Sequence, residues 1–336
     1  MYIQNRRYRD NLPQLGDRKF ITDGGIETAL IFLQEIDLPL FAAFPLVADI
    51  EGVAQLKAYY QPFIDLAISS NAGFILDTPT WRCSRGWAEQ LGYTARDTQF
   101  FNEASVRLMA EIRDRNASAD TPIVINGAIG PQDDGYNPAN LISADEAEEY
   151  HRHQVEVFAA SQADMVTAVT LTYPQEAIGI ARAAAKAGIP AAISFTVETD
   201  GRLPTGASLQ EAIEITDAET GASPVYYMIN CAHPTHFNHV IGGDAAWMQR
   251  IYGVRANASC MSHAELDEAS ELDDGNPREF GRDYIELQQK LGNLRIYGGC
   301  CGTDHRHIAE VCRSLRLGDD PAAAASAGVD RRGFLN

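Results

Sequence analysis

Long apolar runs are missing from this chain, and no stretch is long enough to cross a bilayer. Residues 1–9 carry basic side chains with no apolar run behind them, so they do not read as a secretory signal. Basic residues are scarce overall. There are 27 Lys and Arg against 46 Asp and Glu, a formal net charge of −19. That balance argues against nucleic acid and anionic membrane surfaces as partners. It suits cationic small molecules, although acidic surfaces most often serve solubility alone. Cysteine is scarce too. Six in 336 residues do not make a disulfide framework, and a reduced, cytoplasmic setting fits them better. No glycine fingerprint opens the first helix in the manner of dinucleotide-binding folds.

What is present is a globular composition, 45% hydrophobic and 22% charged, with ample length for a large core. Residues 1–19 read as an N-terminal arm. Strand and helix then alternate. Strands are expected at 20–27, 73–81, 122–131, 165–172, 190–197, 226–231, 250–257 and 295–300. Between them lie helical stripes such as Ile50, Val53, Leu56, Tyr60 and Phe63, with Asp49 placed to cap. Ser143 with Glu146, and Ser208 with Glu211, are capping-box pairs. Residues 259–277 read as an acidic loop. A final helix is expected from about Asp304, and residues 319–336 as an alanine-rich tail. Eight strand–helix repeats predict an α/β fold, a single-domain (β/α)8 TIM barrel over 20–318, with an open doubly wound sheet as the alternative.

Cysteines stand at two of the expected strand ends. Cys300 and Cys301 are adjacent, between Gly298-Gly299 and Gly302. Their ring is too short to pair without strain. Cys231 ends the sixth strand in the same way. Strands six and eight of such a barrel contribute to one interior layer, so three thiols could meet there. Three thiolates leave a tetrahedral Zn2+ with an open fourth position, as catalytic sites do. The plainer reading is three buried, inert thiols.

Asp23-Gly24-Gly25, Asn230-Cys231 and Gly298-Gly299-Cys300-Cys301 together resemble the homocysteine S-methyltransferase family. Ser194-Phe195-Thr196, with Thr205-Gly206 and Ser208-Leu209, resembles that family's fifth strand and following loop. The resemblance runs from about residue 20 to about 315. It implies a zinc-dependent barrel that moves a methyl group from a cationic donor to the thiol of homocysteine. Cys231, Cys300 and Cys301 would be the metal ligands, with Asp23, Gly24 and Gly25 beside the amino-acid end of the acceptor. The small-molecule donor would be a sulfonium such as S-methylmethionine or a betaine-like quaternary amine. Separate folate and cobalamin domains have no room in the chain. A zinc-binding or redox-sensing barrel without turnover, or a methyltransferase for a different thiol, remains open beside this reading.

Asp77 and Asn257, at the ends of the second and seventh strands, are further candidates for substrate contact, with structural roles equally open. Trp81, Tyr173 and Phe195 could wall a cationic donor by cation–π contact or simply be core. Glu27 and Thr28 read as helix N-terminal residues. His233, His236 and His239 rank behind the cysteines as ligands, and His305 and His307 read as capping residues. Cys83, Cys260 and Cys312 read as ordinary thiols. One departure stands out. The family commonly places a glutamate near the end of the fourth strand to bind the substrate amine, and here that position reads Leu171.

Overall fold

The computed structural model describes residues 6–318; the expected tail and the first five residues lie outside them. Eight strands form one closed parallel sheet: β1 (Phe20–Ile21), β2 (Gly73–Asp77), β3 (Ile123–Ile129), β4 (Met165–Leu171), β5 (Ala191–Phe195), β6 (Tyr226–Asn230), β7 (Ile251–Ala256) and β8 (Ile296–Gly299). Closure comes from β1 on β8, where Phe20 faces Ile296 and Ile21 faces Tyr297. That pairing excludes the open sheet and establishes the (β/α)8 barrel.

The helices are α1 (Ile26–Thr28), α2 (Ile50–Ser69), α3 (Arg85–Gln90), α4 (Ala95–Asn116), α5 (Ala144–Ala160) and α6 (Pro174–Ala187). They continue with α7 (Leu209–Thr220), α8 (Pro234–Phe237), α9 (His263–Glu268), α10 (Pro277–Lys290) and α11 (His305–Ser314). Their starts follow local chemistry. The Asp49 carboxylate accepts from the Gly52 N–H, and Ser143 and Ser208 form capping boxes with Glu146 and Glu211. Gly188 ends α6 in the left-handed conformation, φ 69°. The segment 259–277 is not all loop, because Ser262 and Glu265 form a further capping box that starts α9. The first strand is shorter than expected: only Phe20 and Ile21 join the sheet, and α1 starts at Ile26.

Nearly every strand residue is buried, as expected when one face meets the helices and the other the barrel interior. The interior changes character along its axis. Its lower part is apolar, with Phe20, Ile75, Val124, Met165, Tyr226 and Ile296 packed around Leu12 from the segment before β1. That segment also brings Arg9 against the carbonyls of Phe158, Ala159 and Ala163. Above this layer the interior turns polar, with Asp77, Asn126, Thr167 and Arg255. The polar layer lies at the C-terminal ends of the strands, where barrels of this kind carry their sites. Among the described residues no helix is long and apolar enough to cross a membrane.

Candidate active site

The sixth and eighth strands deliver their cysteines to one place. The sulfurs of Cys231, Cys300 and Cys301 all lie within 4.8 Å of one another, and those of Cys231 and Cys301 are 3.5 Å apart. Backbone bonds set the turns: Cys231 N–H donates to Arg255 O, and Cys300 N–H to Ala256 O. Cys231 sits at φ 56°, left-handed for a residue with a Cβ. Sulfurs about 2.3 Å from a tetrahedral zinc stand about 3.8 Å apart, so the trio fits such an ion with little closure. Hydrogen bonds from Cys231 and Cys301, with the charge of Arg255 behind them, hold the Cys300 thiol well below its ordinary range despite burial. Burial above all pushes the Cys231 thiol well above its range, and, against the lowering bond with Cys231, the hydrogen bond with Cys300 raises that of Cys301. It is the soft sulfur set that suits Zn2+.

The β1–α1 turn is interlocked with the β8–α11 turn. Gly25 N–H donates to Thr303 O, and Gly302 N–H to Thr28 Oγ1. A Cβ on Gly25 would stand 2.5 Å from the Cys300 carbonyl oxygen, which only glycine tolerates. Tyr136, from the loop after β3, reaches over the trio. Its hydroxyl is 3.0 Å from the Cys231 sulfur and 3.4 Å from that of Cys301. Burial, then the three sulfurs, push that hydroxyl well above its usual range, so it stays protonated. The Tyr136 ring stacks on His263 at 4.0 Å. His263 in turn lies 2.8 Å from the Cys231 carbonyl and 2.9 Å from Glu198.

Beside the cysteines, Arg255 of β7 reaches between two carboxylates. It pairs with Asp23 at 2.5 Å and with Asp77 closer still. Tyr59 donates to the other Asp23 oxygen and Asn126 to the other Asp77 oxygen. Burial pushes the Asp23 carboxyl up, to about 7, against the pull of Arg255. Glu27 also faces the cavity; burial raises its carboxyl to about 8, and among the described residues it has no ion-pair partner. The cavity measures about 470 Å³ and takes in the three cysteines, Asp23, Gly24, Gly25 and Asp77. Phe32, Phe41, Trp81 and Leu266 give it an apolar wall.

A family model described as Homocysteine S-methyltransferase matches residues 20–315. The chain belongs to the homocysteine S-methyltransferase family. It is therefore an enzyme of the transferase class, with the methyltransferase chemistry of that family. Homocysteine S-methyltransferase 1 of Brassica oleracea var. italica is 24% identical over 88% of this chain and 93% of its own length. Selenocysteine Se-methyltransferase of the same plant is 24% identical over 72% of this chain and 75% of its own length. The metallated form of the homocysteine methyltransferase MmuM from Escherichia coli shares the fold, with a TM-score of 0.67 at 18% identity, covering 89% of this chain and 96% of that one.

Around this cavity some candidates meet and others do not. Asn257 is buried and does not line the cavity; its backbone N–H bonds the Ala232 carbonyl. Leu171 turns into the core beside Phe195, while Val169 and Thr170 face the cavity. Trp81 lines the cavity, but its ring already carries the Arg82 guanidinium at 4.8 Å. Tyr173 and Phe195 are buried away from it. His236 bonds the Cys260 carbonyl, His239 faces Asp200 O, and His233 caps α8; among the described residues none joins the sulfur cluster. His307 completes the capping box of Asp304. Sequence reading passed over Arg255 and Tyr136. A charge inside an otherwise apolar barrel strand was the available signal for Arg255. Tyr136 sits in a Gly-, Asp- and Pro-rich loop that gives no such cue.

Proposed function

We propose that this enzyme transfers a methyl group from a sulfonium or quaternary-ammonium donor, S-methylmethionine or a betaine-like amine, to a small thiol, using Zn2+ held by Cys231, Cys300 and Cys301. What carries the reading is the convergence of three sulfurs from β6 and β8 on the wall of one cavity. Zinc bound there would supply the charge that keeps an incoming thiol in its nucleophilic thiolate form at neutral pH. Homocysteine is the acceptor in the family's name, and its methylation would give methionine.

The chain's own residues do the rest. Three cysteines leave one position for an outside sulfur. Tyr136 closes the cavity over them and limits water there. Its hydroxyl, held protonated, can donate toward the Cys301 sulfur. The apolar wall of Phe32, Phe41 and Leu266 suits the alkyl body of a thiol or donor. Glu27, held mostly protonated by burial, would be drawn into its carboxylate form by a cationic donor beside it. Holding the acceptor sulfur in line with the donor's methyl carbon lets the new S–CH3 bond form as the donor's S–CH3 or N–CH3 bond breaks and a neutral sulfide or amine leaves, without any general base acting on carbon.

The test is twofold. Purified protein is expected to hold one zinc per chain, and Cys300→Ser/Cys301→Ser to lose it. A panel of sulfonium and quaternary-ammonium donors, each with several thiols, is expected to yield a methylated thiol by mass spectrometry. Full zinc retention in the double variant, or no transfer from any donor, would overturn the proposal.

A further inference from the structure

We infer that the acceptor end of this site is built for thiols that carry no α-ammonium group, because Arg255 already occupies the two carboxylates that would receive one. The inference rests on the thiol-acceptor reading above and narrows it. Asp23 and Asp77 are the carboxylates at this end, and they are 2% and 6% exposed. Each of their four oxygens has an internal donor. Arg255 serves one oxygen of each, Tyr59 the second of Asp23, and Asn126 the second of Asp77. None is left as an unpartnered buried acceptor.

Arg255 is not free to swing away. Its Nε donates to Gly299 O at 3.1 Å, and its stem rises from β7 between two strands of the barrel. An ammonium arriving at Asp23 would have to displace a permanently charged guanidinium that bridges both carboxylates. It would also meet that guanidinium as a like charge. No carboxylate comes from β4, because Leu171 faces the core and the cavity-facing residues there are Val169 and Thr170. The group that other thiol sites would draw from the substrate is built into this chain as a side chain. The rest of the wall mixes the apolar Phe32, Phe41, Trp81 and Leu266 with Glu27, Thr170 and Asn230, and against the Asp23–Arg255–Asp77 cluster the fitting acceptor is a thiol with no ammonium on that side.

The test compares four thiols of one length on the zinc-loaded protein, by calorimetric titration without a methyl donor: homocysteine, γ-mercaptobutyrate, γ-mercaptopropylamine and propanethiol. The expected result is that γ-mercaptobutyrate and propanethiol bind at least as tightly as homocysteine and γ-mercaptopropylamine. The Arg255→Leu/Asp77→Asn variant keeps the local formal charge and opens Asp23. In it, homocysteine and γ-mercaptopropylamine are expected to gain about tenfold over propanethiol. Should that variant fail to fold, the wild-type series still decides. Homocysteine binding tenfold tighter than γ-mercaptobutyrate in wild type overturns the inference while leaving the thiol-acceptor reading intact. Loss of that advantage in Glu27→Gln would then identify Glu27 as the ammonium's seat. Binding of none of the four thiols overturns both.

Discussion

Cys231 holds a left-handed backbone at φ 56°, in the turn that carries its sulfur to the other two. For a residue with a Cβ that conformation costs about 1–2 kcal/mol, which glycine avoids. The chain accepts this cost where the sulfur is needed, so the strain belongs to the site and not to the barrel. In metal-free protein, Cys231→Gly is expected to be more stable than Cys231→Ala by about 1 kcal/mol, even though both lose the thiol. Paired urea denaturation curves read this directly. Equal stabilities would mean that the turn is not strained in solution. Arg255 is the other residue that sets the site's character. Its charge meets Asp23 and Asp77 inside the barrel, where a carboxylate pair without it would repel.

At the level of elements, the site is assembled from turns that lock one another. The β1–α1 turn and the β8–α11 turn exchange bonds through Gly25, Thr303, Thr28 and Gly302, and Thr303 also donates to the Cys300 carbonyl. Gly25→Ala would drive a methyl group into that carbonyl and move the Cys300–Cys301 turn. Zinc affinity is expected to fall roughly 10–100-fold, as for other disruptions just outside a metal's ligands. Competition against a chromophoric chelator measures it, and unchanged affinity would count against the interlock. The fourth strand shows how an element alone redirects chemistry. Its pairing with β5 shifts between Ala168 and Leu171, and Thr170 takes φ 64°. That irregularity turns Thr170 toward the cavity, where it exchanges hydrogen bonds with Asn230, and turns Leu171 into the core.

On the scale of the whole molecule, the barrel has two unlike ends. One carries the cavity. The other is sealed by the segment before β1, where Arg9 is buried against the last carbonyls of α5 and the carbonyl of Ala163. A cation there satisfies acceptors that the helix end leaves open. Arg9→Met would leave several buried carbonyls unpaired, and a loss of roughly 3 kcal/mol of folding stability is expected. Zinc content should be unchanged, because the two ends share no side chain. Chemical denaturation together with metal analysis separates these outcomes. A loss of zinc without a loss of stability would show that the lower end acts on the site.

The order of the eight strands, the capping of the helices and the three cysteines at strand ends were legible from the sequence. Each of these rests on short-range physics. Apolar runs alternate with helical stripes, Ser and Glu three residues apart cap a helix start, and a cysteine after a strand takes its place from that strand's end. The missed α9 shows the limit, since a capping box inside an acidic stretch was masked by composition. The partners of Asp23 and Asp77 were a different matter. Arg255 lies 232 residues from Asp23 and 178 from Asp77, and Tyr136 lies 95 from Cys231. Those meetings depend on which side chains point inward once the sheet has closed, and on a register shift in β4 that no periodicity reveals. The metal candidates could be read from sequence because strand ends carry them to the same rim. The charge of the cavity beside Asp23 and Asp77 could not, because it is set by one arginine far from both in sequence.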